Sequence, residues 1–282
     1  MRGSSLSISV LLVGAVAVFS FAAGAQQPAA PAPGSARAVA PVDLTGNWVS
    51  VVTEDWRYRM VTPPKGDYAS VPLNGEGRRT ADTWDPAKDE ASGNQCRSYG
   101  APAIMRVPTR LRISWQDDNT LKVETDAGMQ TRLFRFGTQS LTPGVEPDWQ
   151  GFSAANWEMA GGAGGFGFGP PGGAPPPAGG GGPGRGARAG GPPPPASRGG
   201  SLKVVTRGFK SGYLRRNGVP YSENAVVTEY FDRHTEANGD EWFTVTVTVE
   251  DPKYLGQPFI TSSSFKKERD GSKWNPTPCK VG

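Results

Sequence analysis

Alternation of apolar and polar residues with a period of two runs through most of the chain beyond residue 46 and predicts β-strands. A first strand covers 47–53. "RLRISW" (110–115), the turn Gln116-Asp117-Asp118-Asn119 and "TLKVET" (120–125) read as a hairpin, and "TRLFRF" (131–136) follows Ala127-Gly128. Then come "SLKVVT" (201–206), "AVVTEYFDR" (225–233), a turn over 236–240, "WFTVTVTVE" (242–250) and "PFITSSSFKK" (258–267). In the second-last of these, Phe243, Val245, Val247 and Val249 alternate with Thr244, Thr246 and Thr248, as in a half-buried antiparallel strand. Helix signals are sparse. Asn74 caps a short helix through "GEGRRTADTW" that ends before Pro86, inside the long connection 58–108. About eight strands, mostly in hairpin order, with one helix-bearing excursion, predict a mainly β fold: an antiparallel up-and-down barrel. A β-sandwich is the alternative.

Composition divides the chain. Arg2, an apolar run over 8–23 and the small-x-small pattern Ala23-Gly24-Ala25 read as an export signal, residues 1–25, and place the protein in the periplasm or outside the cell. The run is shorter than the roughly 20 residues a spanning helix needs, so no stable membrane span is expected after cleavage. Residues 26–42 read as a flexible lead-in to a single domain, 43–282. Within it, residues 160–200 hold 18 Gly and 10 Pro among 41 residues, too little apolar surface to offset the entropy of ordering, and read as a disordered insertion. Gly162 to Gly167 match G-x-G-x-x-G there by chance, with no strand or helix around them.

The formal charge of +4 does not imply a nucleic-acid partner. Arg2 goes with the signal, and Arg185, Arg188 and Arg198 lie in the insertion. These four account for the whole excess, so the remainder is neutral and has no footprint for a polyanion. Two cysteines, Cys96 and Cys279, in an exported chain predict one disulfide that pins the C-terminal tail. Together with one histidine they cannot furnish a four-ligand zinc site without carboxylates; neither a metal nor a cofactor is expected.

Several stretches carry a resemblance. Asp43 to Trp48, Cys96 with Gly100-Ala101-Pro102 and Met105, Trp149 to Ser153 with Trp157-Glu158, Leu202 to Thr206, Thr228-Glu229 with Arg233, Glu250 to Tyr254 and Pro258-Phe259 follow one another in a familiar order. In these the chain resembles a large, functionally uncharacterised family of exported bacterial proteins, over nearly all of 43–279. The resemblance implies a lipocalin-like (calycin-like) barrel in which Trp48 closes one end. It also implies a basic residue of the last strand, Lys266, Lys267 or Arg269, lying over that tryptophan. Relatives tend to carry histidines where this chain has Phe152, Val219 and Tyr221, so a histidine-based role in relatives does not transfer.

Candidate chemistry is limited. Gly151-Phe152-Ser153-Ala154-Ala155 nearly matches a nucleophile elbow, but strands follow strands here and His234 adjoins a hairpin turn. Ser263 and Lys266 fall on opposite faces of a strand. In "AVVTEYFDR", Val227, Glu229, Phe231 and Arg233 share one face, so Glu229 faces a lumen, paired with Arg233 or Arg57 or offered to a ligand. Glu54 and Asp55 pose the same choice at the end of the first strand. Eight tryptophans either fill the barrel or line a cavity.

These residues predict a binding module holding a small hydrophobic or aromatic molecule, with Trp56, Arg57, Trp157, Glu229, Arg233 and Tyr254 as ligand contacts. The alternatives are an envelope structural or interaction protein, with the insertion as its arm, and an isomerase or hydrolase using Glu229 or Glu54 as acid or base. The balance leans away from an enzyme, and no protein partner is identified.

Overall fold

The computed structural model describes residues 32–137, 146–159 and 199–281. The export signal 1–25 and all but the last two residues of the insertion 160–200 lie outside the described residues.

The strands are β1 (Gly46–Val51), β2 (Arg110–Asp117), β3 (Thr120–Thr125), β4 (Thr131–Phe136), β5 (Phe152–Met159), β6 (Gly200–Arg207), β7 (Gly212–Arg215), β8 (Val219–Tyr221), β9 (Val226–Thr235), β10 (Glu241–Glu250) and β11 (Phe259–Glu268). Nine of them close a barrel in the order β1-β11-β10-β9-β6-β5-β4-β3-β2, with β2 returning to β1. β7 and β8 pair with each other outside it. The barrel therefore has nine strands where about eight were expected, and it is mixed. β4 and β5 run parallel, Phe134 opposite Ser153 and Phe136 opposite Ala155. The uncounted strand is β5. Its inward positions are Ser153, Ala155 and Trp157, two of them small, so it lacks the branched apolar alternation by which strands are recognised. The β5–β6 ladder runs up to Met159 opposite Gly200, so the Gly/Pro-rich segment leaves and rejoins the barrel at one hairpin position.

The connection between β1 and β2 carries three short helices where one was expected: α1 (Trp56–Met60), α2 (Gly75–Ala81) and α3 (Pro86–Ala91). Asn74 caps α2 as its sequence predicts, its Oδ1 accepting from the Gly77 N–H at 2.9 Å. Pro86 begins α3 after the Asp85 cap, where its missing N–H costs no helical bond. Two 3₁₀ turns, Gln95–Ser98 and Ile104–Arg106, complete the connection. Among the described residues no helix is long and apolar enough to cross a membrane.

Strand directions put this connection, β7–β8 and the loop after β10 at one end of the barrel, the cap end. The other end receives residues 32–42 of the stretch read as a lead-in. The Ala36 N–H donates to Asn119 Oδ1 at 2.9 Å, and the Ala36 carbonyl accepts from Trp157 Nε1 at 2.8 Å. Ala36 is buried there as a plug. The C-terminal tail runs back toward the cap end, Thr277 bonding across to Asp126 and Gly128. Cys279 is joined to Cys96 with a Cα–Cα distance of 5.1 Å.

Aromatic side chains fill the barrel. Trp48 meets the edge of Phe243 at 4.8 Å between centroids, Phe243 stacks on Phe265 at 4.8 Å, and Phe231 links Phe243 to Phe134. All five are completely buried. Trp48 Nε1 donates to the Leu44 carbonyl at 2.9 Å, and Lys267 of β11 lies over its ring at 5.5 Å. Of the eight tryptophans only Trp48 is fully buried; Trp115 and Trp157 are half-buried against Phe136 at the plug end.

Candidate functional site

Glu229 projects from β9 into the lumen and is fully buried. Its partner is Arg132 on β4, neither Arg233 nor Arg57. Arg132 Nη1 and Nη2 donate to the two Glu229 carboxylate oxygens at 2.8 and 2.6 Å. Nη2 also reaches Thr206 Oγ1 at 3.2 Å, and Thr206 Oγ1 lies 2.8 Å from Ser153 Oγ. Arg132 shares its period-two face with Phe134 and Phe136, and that alternation was the signal that it points inward. Arg233 lies where β9 leaves the core and pairs with Glu241; Arg57, on α1 outside the barrel, bonds Asp67 at 2.8 Å. The charges of Glu229 and Arg132 thus compensate each other, and neither residue borders the two cavities described below. A general acid or base must reach its substrate. Glu229 and Arg132 hold three strands together.

Ser153 faces this network, level with Val227 of β9 through Thr206, seven residues along that strand from His234. At a rise of roughly 3.4 Å per residue the two are more than 20 Å apart, so they form no catalytic pair. Glu54 and Asp55 face the cap, where they pair with Arg59 and Arg106. The other expected ligand contacts scatter. Trp157 packs with Trp115 and Phe136 under the plug. Trp56 is 64% exposed on α1. Tyr254 receives the Asn74 N–H on its carbonyl, with Lys253 Nζ 5.2 Å from its ring. The structure does not bring these six residues to one site.

A cleft of about 490 Å³ opens instead at the cap end, between the loop before β5, the loop after β6 and the 3₁₀ turn that carries Cys96. Its apolar walls are Trp149 and Phe209, its cations Arg97 and Lys210. Local sequence builds it. Asp148 Oδ1 accepts from the N–H groups of Gln150 and Gly151 at 2.8 and 2.7 Å, an Asx turn that sets Trp149. Gly151 has φ +60°, and a Cβ there would lie 2.6 Å from the Arg207 carbonyl, so only glycine admits the close approach of the two loops. The Lys210 N–H donates to the Asp148 carbonyl at 2.7 Å, and Lys210 Nζ stands 5.6 Å from the Trp149 ring centroid.

Phe209 is almost wholly buried and rests edge-on against Tyr221 at 5.5 Å. Arg97 stacks on the Tyr213 ring at 4.5 Å and donates to Asp89 at 2.8 Å; the Tyr213 hydroxyl donates to the other Asp89 oxygen at 2.8 Å. Burial first, then that hydrogen bond, pushes the Tyr213 phenol up, so it stays a donor. The cleft thus presents Trp149, backed by the buried Phe209, beside Arg97, which is held in place, and the exposed Lys210, with Glu146 and Glu223 at its rim. Trp149 lay among the residues that carry the resemblance, but its role was not legible, because the cleft joins segments more than 100 residues apart.

Among the described residues no group of three or more His, Cys, Asp or Glu side chains is placed to hold a metal ion. No family model, curated protein or solved structure matches the chain.

Proposed function

We propose that this is an exported binding protein, periplasmic or secreted, that holds a small aromatic or apolar molecule in the cleft at the cap end of a solid barrel. The supporting observation is the cleft itself. Its 490 Å³ falls within the roughly 300–1,000 Å³ of small-molecule sites, and it combines Trp149 and Phe209 with Arg97 and Lys210. A ring stacked on Trp149 and carrying an acidic group satisfies both the apolar walls and the cations. The barrel is the scaffold, its interior occupied by Trp48, Phe134, Phe231, Phe243 and Phe265. A lipocalin-like kinship belongs to the same proposal and draws support from Trp48 beneath Lys267. An enzyme working through a lumen carboxylate draws none, since Glu229 is paired and sealed. The envelope-interaction alternative rests on segment 160–200, almost all of it outside the described residues.

The experiment is calorimetric titration with aromatic carboxylates such as phenylacetate and indole-3-acetate. Saturable binding that Trp149→Ala and Lys210→Glu each weaken at least tenfold is expected. Binding that neither substitution alters overturns the assignment.

A further inference from the structure

Three arginines from separate elements meet beneath the cap: Arg59 on α1, Arg106 on the second 3₁₀ turn and Arg215 on β7. They are 3%, 6% and 3% exposed. Each is held in place. Arg59 Nε donates to the Arg106 carbonyl at 2.9 Å and Nη1 to Glu54. Arg106 Nη2 donates to Asp55 at 3.0 Å. Arg215 Nη1 donates to the Ala69 carbonyl at 2.6 Å, and its guanidinium lies 4.2 Å over the Tyr58 ring. A fourth arginine, Arg216, donates to the Arg59 carbonyl at 3.3 Å.

Four guanidinium nitrogens in this cluster are buried without a protein partner: Arg59 Nη2, Arg106 Nη1, and Arg215 Nε and Nη2. All three arginines line one small cavity, with Tyr58, Ser98 and Ala103 among its other walls. The cavity measures about 20 Å³, room for one or two water-sized atoms such as the oxygens of a small anion.

The charges do not balance. Three carboxylates act on four guanidinium groups: Glu54 and Asp55, each about two-thirds buried, and Asp67, which is itself bonded by a fifth arginine, Arg57. Burial, and then the neighbouring Arg106 charge, hold Arg215 down at about 10; Arg59 is lowered by its own burial and by Arg106. A buried positive charge without a counter-charge is costly, and one left with spare donors more so. The backbone bears strain here as well. Asp55 sits in the left-handed region at φ +50°, where a non-glycine residue is held only when its surroundings fix it. That conformation starts α1 and places the Asp55 carboxylate against Arg106.

From this geometry we infer that the Arg59–Arg106–Arg215 cavity is a binding site for a small oxyanion, a carboxylate or phosphate group, distinct from the aromatic cleft. The spare nitrogens belong to planar forks, the donor geometry that suits carboxylate and phosphate oxygens. An oxyanion supplies both the missing counter-charge and the missing acceptors.

The test follows thermal unfolding of the purified protein at constant ionic strength, with chloride replaced in turn by acetate and by inorganic phosphate. One of the two is expected to raise the midpoint by several degrees over chloride, and which one does so separates a carboxylate from a phosphate site. Arg215→Gln and Arg106→Gln are expected to abolish the rise. Arg57→Gln, outside the cavity, and Lys210→Glu, in the aromatic cleft, are expected to keep it. Should the cavity variants not fold, line broadening of the phosphorus or carboxylate resonance of the anion by the wild-type protein reports binding directly. A midpoint that ignores anion identity together with unbroadened resonances overturns the proposal, as does a rise of equal size in Arg215→Gln.

Discussion

Arg132 and Glu229, 97 positions apart, meet inside the barrel through two parallel hydrogen bonds of 2.8 and 2.6 Å, and neither side chain has any exposure. A buried pair of this kind is tolerated because each charge answers the other, and removing one member leaves a bare charge in a medium that cannot solvate it. Glu229→Gln and Arg132→Met are each expected to lower unfolding free energy by about 3–5 kcal/mol in urea titrations. The double substitution Arg132→Met with Glu229→Leu is expected to cost less than the sum of the singles, since it removes both charges together.

Phe243 touches Trp48, Phe231 and Phe265 and so sits at the centre of the aromatic filling. Phe243→Ala is expected to destabilise the fold by about 3–5 kcal/mol, through lost burial and the cavity left behind. Trp56→Ala, at an exposed helix position, is expected to stay within about 0.5 kcal/mol of wild type in the same titration.

The disulfide closes a loop spanning 183 positions. On the chain-entropy model its reduction removes up to about 5 kcal/mol, the long loop placing it near the upper end of such effects. Urea midpoints with and without reductant measure this directly. The paired substitution Cys96→Ala with Cys279→Ala is expected to match the reduced protein and to be insensitive to reductant.

Alkaline pH probes the cap. Tyr68 is buried and donates to Asp82 at 2.8 Å; burial first, then that hydrogen bond, raise its phenol from 10 to about 12. The neutral form is the one the fold retains. Stability from this group is therefore complete below pH 10 and is lost as pH climbs from 10 toward about 12, where the unfolded chain has already released the proton. The Tyr68→Phe protein is expected to lose less stability than wild type between pH 10 and 12. Equal losses in the two proteins contradict the assignment.

Strands whose inward face is large and apolar were legible from alternation alone. β3 and β4 match their predicted bounds, and β10 and β11 lie within a residue of theirs. β5 escaped because Ser153 and Ala155 fill its inward positions, and with it went the ninth strand and the parallel pairing. Lys267 over Trp48 was foreseeable as one of three basic residues, because register decides which one faces the ring. The partner of Glu229 was not. It depends on which strand lies opposite across a closed barrel, and Arg132 is nearly 100 residues away. Both cavities are assembled from the short elements and loops that connect the barrel strands, where no long periodic pattern runs: Arg97, Trp149 and Lys210 in one, Arg59, Arg106 and Arg215 in the other.

The central claim is that the barrel is a solid scaffold and the ligand lies outside it, against Trp149. Labelling the eight tryptophans with 5-fluorotryptophan and assigning each fluorine resonance by single Trp→Phe substitution gives one reporter per site. On titration with an aromatic carboxylate, the Trp149 resonance is expected to move saturably while that of Trp48, in the lumen, stays still. A shift at Trp48 with Trp149 unmoved contradicts the account and returns the ligand to the lumen.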